Sequence, residues 1–445
     1  MPVSPARRVA YDILQRVERG RDFAADLLRA PAVSSLSEPD QSLATELVLG
    51  VLRRRTELDS WITRLSGREL DYFDPEIVTI LRLGVYQIRR LDRVPKSAAV
   101  NQAVEMAKTA RKRSAAGLVN AVLRKCEPLR SKEGNAADDS EPLNLALPSW
   151  LAERWQQRFG VEVERALARW SLETPRTAAR LVSAQDGVET IRRELAGEGV
   201  EAEPSAYSSR ACVISRGTVT RTKLWRTGRL VIQDEASQLV GSLVKPEVHQ
   251  RVLDLCAAPG MKTSQLAADL KSGLLIACDL SSRRLRSTQA LVSPVIPEAV
   301  RWYRVQLDAS LPLPFSTSFD RILLDAPCSG TGTLARNPEI KWRLKPEDIV
   351  RLSELQTRML RGALPLVAPG GRLIYATCSL EREENDEVVE RVLAEASGFR
   401  RLARAELVRE WPAFAPLFDQ DGYFRTRPGL HGTDGFFAAV LSRTS

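Results

Sequence analysis

Residues 251–263, with the sequence RVLDLCAAPGMKT, give the strongest indication of fold in this chain. The apolar start, Arg251 to Cys256, is typical of a short buried strand, and the small residues that follow predict a tight loop that opens a helix near Thr263. Doubly wound α/β folds use this order of strand, loop and helix to bring backbone close to a ligand. The segment therefore predicts a Rossmann-like α/β domain with a ligand at the loop.

The next two strands indicate what kind of ligand this is. A strand at 274–278 ends in Asp279, about 20 residues after the loop, where an acidic side chain bonds ribose hydroxyls. A third strand, 301–305, leads to Asp308, which is placed to meet an adenine edge. The glycine-rich fingerprints of dinucleotide and nucleoside triphosphate sites are absent from the sequence, which disfavours NAD and ATP. The sequence thus predicts an adenosine ligand without phosphates.

Two later segments each place a cysteine after an apolar, β-like run. They are DAPCSG at 325–330, with Cys328, and YATCS at 375–379, with Cys378. Strand ends are where open α/β sheets bind ligands. Cytosine gives a chemical reason for thiols there, because its C5 is a poor nucleophile until a thiolate adds to C6. The alternative is a pair of buried cysteines that act as small hydrophobic residues.

Taken together, these segments resemble the RNA 5-methylcytosine methyltransferases that use S-adenosylmethionine. The resemblance covers about residues 230 to 445 and departs from the pattern at Met261, where these enzymes usually carry a second glycine. A backbone with positive φ would be strained by methionine there. The matching segments are 256–263, 325–330, 337–342, 377–379 and 434–437.

This resemblance implies a role for each candidate residue. Cys378 is implied as the thiolate that adds to cytosine C6, Asp325 as the partner of the N3 and amino edge, and Cys328 as the group that helps expel Cys378. Spacing alone leaves the order of the two cysteines open. Lys262, at a helix N-terminus, is the best-placed cation for favouring a thiolate. The residues expected to contact the cofactor are Cys256, Ala257, Ala258, Pro259, Gly260, Met261, Lys262, Asp279, Arg284, Asp308 and Asp325.

Composition limits the remaining possibilities. A chain of 445 residues, 44% hydrophobic and 27% charged, is typical of a globular protein with two or three domains. The sequence shows no signal peptide and no long apolar run, so we expect a cytoplasmic protein without a membrane partner. Six scattered cysteines and two histidines predict neither a disulfide framework nor a metal site. The net charge of +9 favours a polyanionic partner such as RNA.

The chain is predicted to be multidomain, with an all-α N-terminal domain, a small α/β module and the α/β methyltransferase domain. Residues 1–130 resemble the all-helical NusB antitermination factor, 131–144 form a polar linker, 145–235 form the module, and 236–445 form a class I S-adenosylmethionine-dependent catalytic domain. In the methyltransferase family an equivalent module helps to grip RNA. A basic cluster in the first domain indicates RNA binding, although it would also suit a solvated face. Its members are Lys108, Arg111, Lys112, Arg113, Arg124 and Lys125.

Other functions are disfavoured to different degrees. His249 and His431 lie outside both cysteine motifs, which disfavours a Cys-His dyad. DNA cytosine methyltransferases use a Pro-Cys nucleophile together with a Glu-Asn-Val segment that is absent from this sequence. A non-catalytic RNA-binding assembly factor would have to keep every motif without using it. The combination of domains resembles the bacterial enzymes that methylate a cytosine of small-subunit (16S) ribosomal RNA, with tRNA as the alternative substrate and a monomer as the expected state.

Overall fold

The computed structural model describes residues 2–20, 22–129, 145–183 and 186–444. The predicted linker 131–144 lies outside the described residues. The chain divides into two compact units. The first, which we call the helical unit, consists of residues 1–174 and 334–343, and the second, the sheet unit, consists of 175–333 and 344–445. The domain boundaries predicted at 130, 145 and 235 remain predictions, but the compact helical unit continues to residue 174.

The helical unit contains helices whose apolar residues recur at helical spacing. In α1, Ala10, Ile13, Leu14 and Val17 form one buried face. Helix α5 begins only two residues after α4 ends. Helices and strands are numbered here in chain order. The helices are α1 (Pro5–Glu18), α2 (Ala24–Leu27), α3 (Pro31–Ser34), α4 (Glu38–Arg53), α5 (Arg55–Ser66), α6 (Pro75–Arg90), α7 (Lys96–Thr109), α8 (Ala116–Lys125), α9 (Ser149–Phe159), α10 (Val161–Trp170) and, from the later segment, α16 (Ile340–Arg343).

The segment Leu334–Arg343 follows the first cysteine motif in the chain but packs within the helical unit. The Lys341 ammonium donates to the Arg53 carbonyl at 2.9 Å, and the Trp342 indole N–H donates to the Leu52 carbonyl at 2.8 Å. Both carbonyls lie in the last turn of α4, where an α-helix leaves its carbonyl groups without intrahelical partners. The segment therefore caps a helix that lies almost 300 residues earlier in the sequence.

The sheet unit contains two β-sheets. A four-stranded antiparallel sheet has the order β2-β3-β1-β4, and a larger sheet has the order β10-β12-β9-β8-β5-β6-β7, with β11 paired to β12. The strands are β1 (Thr177–Leu181), β2 (Glu201–Pro204), β3 (Ala211–Arg216), β4 (Leu230–Ile232), β5 (Arg251–Asp254), β6 (Gly273–Asp279), β7 (Val300–Gln306), β8 (Phe319–Asp325), β9 (Val367–Thr377), β10 (Phe399–Arg401), β11 (Phe424–Arg425) and β12 (Phe437–Arg443). The helices are α11 (Val188–Gly197), α12 (Lys223–Arg226), α13 (Glu235–Val244), α14 (Met261–Leu270), α15 (Ser282–Val292), α17 (Pro346–Ala363), α18 (Asp386–Glu395) and α19 (Arg404–Glu410).

The large sheet fixes where a ligand can bind. Strands β5 to β9 are parallel, and β12 inserts antiparallel between β9 and β10. Strand β5 pairs with β6 on one side and β8 on the other, so the chain order reverses beside β5. Open α/β sheets bind ligands at such a reversal, outside the carboxyl ends of the strands. The loop after β5, Asp279, Asp325 and Cys378 all follow or end strands at this edge.

None of the described helices is long and apolar enough to cross a membrane.

Candidate active site

The loop between β5 and α14 is held against the neighbouring strands by its backbone. The Leu255 N–H donates to the Leu323 carbonyl at 3.0 Å, and the Ala257 N–H donates to the Cys278 carbonyl at 2.8 Å. Gly260 has φ of +112°, and a Cβ on it would lie 2.7 Å from the Thr288 Cα, so this position requires glycine.

Met261, the departure noted in the sequence, does not strain this loop. It is the first residue of α14 and has no positive φ. The unusual conformation falls on Gly260, one residue earlier, and the methionine therefore occupies ordinary helical backbone.

The first turn of α14 is also tied to β5 by a buried side chain that the sequence analysis did not single out. The Thr263 hydroxyl donates to Asp254 Oδ2 at 2.7 Å. Asp254 is 1% exposed, and this burial raises its pKa to about 7. The pair fixes the start of the helix relative to the strand on which the loop is built.

The acidic residues at the next strand ends differ in their surroundings. Asp279 is buried and accepts from the Ala258 N–H at 3.2 Å and the Ser281 N–H at 2.9 Å, and Arg284 donates to the Ala258 carbonyl at 2.9 Å. Asp308 is exposed after β7, where hydrogen bonds from the Ser310 hydroxyl and N–H hold its pKa below the usual value. A side-chain-free backbone at Gly260 and a fixed carboxylate at the end of β6 fit an adenosyl group, which needs close backbone approach and a ribose acceptor.

The two cysteines that the sequence separates by 50 positions meet in the structure. Cys328 follows β8 and Cys378 follows β9, and their Sγ atoms lie 3.2 Å apart. Beside them, the Lys262 ammonium contacts Asp325 Oδ2 at 2.7 Å, with the lysine side chain 12% exposed. The Lys262 Nζ also lies 5.1 Å from the centre of the Phe436 ring. Two thiols and one partly buried ion pair therefore share the carboxyl edge of the sheet.

Neighbouring charges and burial act on Cys328 and on Lys262. The hydrogen bond to Cys378, together with burial and the negative charges of Cys378, Glu384 and Asp325, raises the pKa of Cys328 well above its usual value. Burial lowers the pKa of Lys262, but Asp325, and to a lesser extent the charge of Cys378, outweigh it and raise that pKa overall. Lys262 therefore stays cationic within electrostatic reach of Cys378, while Cys328 is held as a thiol.

Three family models together cover most of the chain. Residues 242–442 match the model described as 16S rRNA methyltransferase RsmB/F, residues 4–128 match the NusB family, and residues 147–220 match the ferredoxin-like domain of RsmF/B-like methyltransferases. Among curated proteins, the chain is 31% identical to a probable ribosomal RNA small subunit methyltransferase B of Bacillus subtilis, over 100% of both chains. It is also 31% identical to the ribosomal RNA small subunit methyltransferase B of Klebsiella pneumoniae, over 97% of this chain and 96% of that protein.

The chain belongs to the RsmB/F family of 16S rRNA methyltransferases. A solved structure agrees with this, since a methyltransferase homolog protein from Pyrococcus horikoshii matches with 27% identity and a TM-score of 0.56, over 68% of this chain and 97% of that one. Family membership makes the chain an RNA methyltransferase with S-adenosylmethionine as its cofactor. The predicted family, fold class, enzyme class and cofactor are thereby confirmed.

The structure shows which residues of the predicted basic cluster are exposed and which are paired with acidic side chains. Its side chains are at least partly exposed, but Lys108 pairs with Glu105 at 2.7 Å and Lys112 pairs with Asp74 at 2.8 Å. Arg111 lies between these two pairs in the chain. The prediction that this cluster binds RNA remains a prediction, and the two lysines have acidic neighbours that already offset part of their charge.

Neither histidine has a cysteine among its hydrogen-bond partners in the described structure. His431 Nδ1 accepts from the Arg427 N–H at 2.9 Å, and His249 Nδ1 lies 3.0 Å from the Ser272 hydroxyl.

Sequence reasoning missed Glu384, which lies six residues after Cys378 and accepts hydrogen bonds from both cysteine loops. The acidic residues at 381, 383 and 384, directly after a cysteine motif, were the signal that could have found it.

Proposed function

We propose that this chain methylates C5 of a cytosine in 16S ribosomal RNA through a covalent bond between Cys378 and cytosine C6. The observation that carries the proposal is the 3.2 Å separation of the Cys328 and Cys378 sulfurs beside the Lys262–Asp325 pair. The curated relatives named as small-subunit methyltransferases support the choice of RNA. We expect the chain to act as a cytoplasmic monomer.

Attack on C6 requires a thiolate, and a nearby positive charge favours its formation. The Cys378 sulfur forms a bond to C6, and the electron pair of the C5–C6 double bond becomes available at C5, which turns the ring into an enamine. Lys262 favours the thiolate because its ammonium stays charged within electrostatic reach of Cys378. We assign Asp325, which Lys262 holds, to the N3 and amino edge of the cytosine. There the carboxylate accepts a hydrogen bond from the amino group, and the Lys262 ammonium offsets the negative charge that develops on the ring.

S-adenosylmethionine supplies the electrophilic methyl group that C5 attacks. Cys256 to Gly260 in the loop after β5, with Lys262, Asp279 and Arg284 beside it, would hold the cofactor, and Asp308 would meet the adenine edge. These residues contribute mainly by orientation, since holding two reactants in line lowers the barrier without new chemistry.

Release of the methylated RNA breaks the bond between Cys378 and cytosine C6. A base removes the C5 proton, the C6–Sγ bond breaks, and the sulfur of Cys378 leaves with the bonding electrons. The Cys328 thiol, 3.2 Å from that sulfur, stabilises the departing thiolate by a hydrogen bond. Burial and the negative charges of Glu384 and Asp325 also raise the pKa of Cys328, so it remains a thiol that can donate such a bond.

The two cysteine variants should differ in whether they hold RNA covalently. Cys378→Ala should abolish methylation and form no adduct, whereas Cys328→Ala should retain methylated RNA covalently on Cys378. A denaturing gel of each variant with RNA and S-adenosylmethionine shows the adduct as a slow band that nuclease removes. A band with Cys378→Ala and none with Cys328→Ala would reverse the two roles.

The target can be identified independently of the mechanism. Bisulfite sequencing of total RNA from a strain that lacks the gene should show the loss of one cytosine mark in 16S ribosomal RNA. Loss of a tRNA mark instead would assign the alternative substrate, and unchanged marks in both would overturn the proposed function.

A further inference from the structure

A single buried carboxylate connects the two cysteine loops. Glu384 is 0% exposed, and its Oε1 accepts from the Ser329 N–H at 2.8 Å. Its Oε2 accepts from the Ser379 hydroxyl at 2.5 Å and from the Ser329 hydroxyl. Ser329 directly follows Cys328, and Ser379 directly follows Cys378. The same side chain thus holds the residue after each thiol.

A glutamine completes this arrangement on the other side of Cys328. Gln356, fully buried in α17, donates from Nε2 to Glu384 Oε1 at 3.0 Å and to the Pro327 carbonyl at 2.8 Å. Pro327 directly precedes Cys328, so this cysteine is held on both sides by one hydrogen-bonded network. The loops are also joined by backbone, since the Gly332 N–H donates to the Cys378 carbonyl at 2.9 Å.

The use of a carboxylate here has a physical cost. Burial raises the pKa of Glu384, while the hydrogen bonds from Ser329, Ser379 and Gln356 act in the opposite direction. A buried charge persists in a protein when such donors satisfy it. Packing alone would be served by an apolar side chain, so the carboxylate points to a need for directional bonds and for negative charge near Cys328.

We propose that Glu384 is a positioning residue that holds the Cys328 thiol at hydrogen-bonding distance from the Cys378 sulfur and so controls release of the methylated RNA. The inference rests on the proposed covalent function. Glu384 acts through Ser329 and Ser379 and touches neither cytosine nor cofactor in the proposed mechanism. Its negative charge is also one of the causes that keep Cys328 protonated.

Two substitutions separate the effect of the Glu384 charge from the effect of its side-chain length. Glu384→Gln keeps the length and removes the charge, whereas Glu384→Asp keeps the charge and shortens the side chain. Glu390→Gln, exposed on α18, is the matched control. Circular dichroism and binding of S-adenosylmethionine establish that each variant is folded.

The first measurement needs no RNA. Alkylation of Cys328 by iodoacetamide is followed against pH by peptide mass spectrometry, in a Cys378→Ser background common to all variants. Glu384→Gln should move the alkylation profile of Cys328 to lower pH, because a nearby negative charge no longer disfavours the thiolate. Glu384→Asp should restore the profile towards that of the parent, and Glu390→Gln should match the parent. A folded Glu384→Gln protein with the parent profile would overturn the inference.

The second measurement is a single turnover with RNA and S-adenosylmethionine, in a chain with both cysteines. Glu384→Gln should leave adduct formation nearly intact and slow release by roughly tenfold, the effect expected when one hydrogen bond to a charged group is weakened. Equal release from Glu384→Gln and the control would also overturn the inference. If the Cys328→Ala chain traps no adduct, the covalent function itself fails, while the alkylation profiles still decide whether Glu384 controls Cys328.

Discussion

Replacing the buried Lys341 with methionine should remove a pH dependence from the stability of the helical unit. Lys341 is 1% exposed and donates to the Arg53 carbonyl at 2.9 Å, the Ala146 carbonyl at 3.0 Å and the Ser171 hydroxyl at 3.4 Å. Burial, together with the charges of Arg53 and Arg54, lowers the pKa of Lys341 from 10.5 to about 7. Methionine keeps much of the volume and removes the titrating group.

The sign follows from the protons bound in each state. Between pH 7 and 10.5 the unfolded chain keeps the Lys341 proton while the folded chain has lost it, so the unfolded state binds more protons and stability rises with pH across this window. Below pH 7 both states are protonated, and the full cost of burying the charge remains. A shift of this size corresponds to roughly 5 kcal/mol, of which about 2 kcal/mol falls between pH 7.5 and 9.5.

Urea titrations at pH 7.5, 8.5 and 9.5 measure this effect by tryptophan fluorescence, since Trp155 and Trp342 lie in the same unit. The free energy of unfolding of the parent should rise relative to Lys341→Met by about 2 kcal/mol over this range. Lys223→Met, at an exposed lysine, should run parallel to the parent. Parallel lines for the parent and Lys341→Met would refute the argument that burial lowers the pKa of Lys341.

Three further predictions concern the cofactor, the thiols and RNA. Asp279→Asn should weaken binding of S-adenosylmethionine by roughly tenfold to a hundredfold in calorimetry, because it removes the carboxylate that we assign to the ribose; unchanged affinity would remove Asp279 from the ribose site. Lys262→Met should slow formation of the Cys378 adduct in a single turnover with RNA and S-adenosylmethionine, since the nearby cation is lost; an unchanged rate would show that Lys262 does not assist attack by Cys378. Arg111→Ala should weaken RNA binding more than Lys108→Ala and lower the salt slope by about one unit, because Lys108 is already paired with an acid; equal losses in a filter-binding titration would contradict this.

Much of the catalytic fold could be predicted from local patterns. The strands at 274–278 and 301–305 lie within β6 and β7, and the loop at 257–260 leads into α14 as expected. These patterns are local, because buried strands need runs of apolar residues and a tight loop needs small ones. Element ends are harder to predict from local patterns: the strand predicted at 251–256 ends at Asp254, and α5 begins only two residues after α4 ends.

The sequence shows which reactive side chains follow each predicted strand, because residue types and strand positions are both visible within one segment. They are two thiols, a lysine and three aspartates. Which of these side chains meet depends on the tertiary structure. Three contacts join residues from different segments: the 3.2 Å contact between Cys328 and Cys378, the hydrogen bond of Glu384 to Ser329, and the capping of α4 by Lys341. Such contacts depend on strand order and on how the chain folds back. They cannot be predicted from sequence periodicity, because periodicity describes only residues that are close together in the chain.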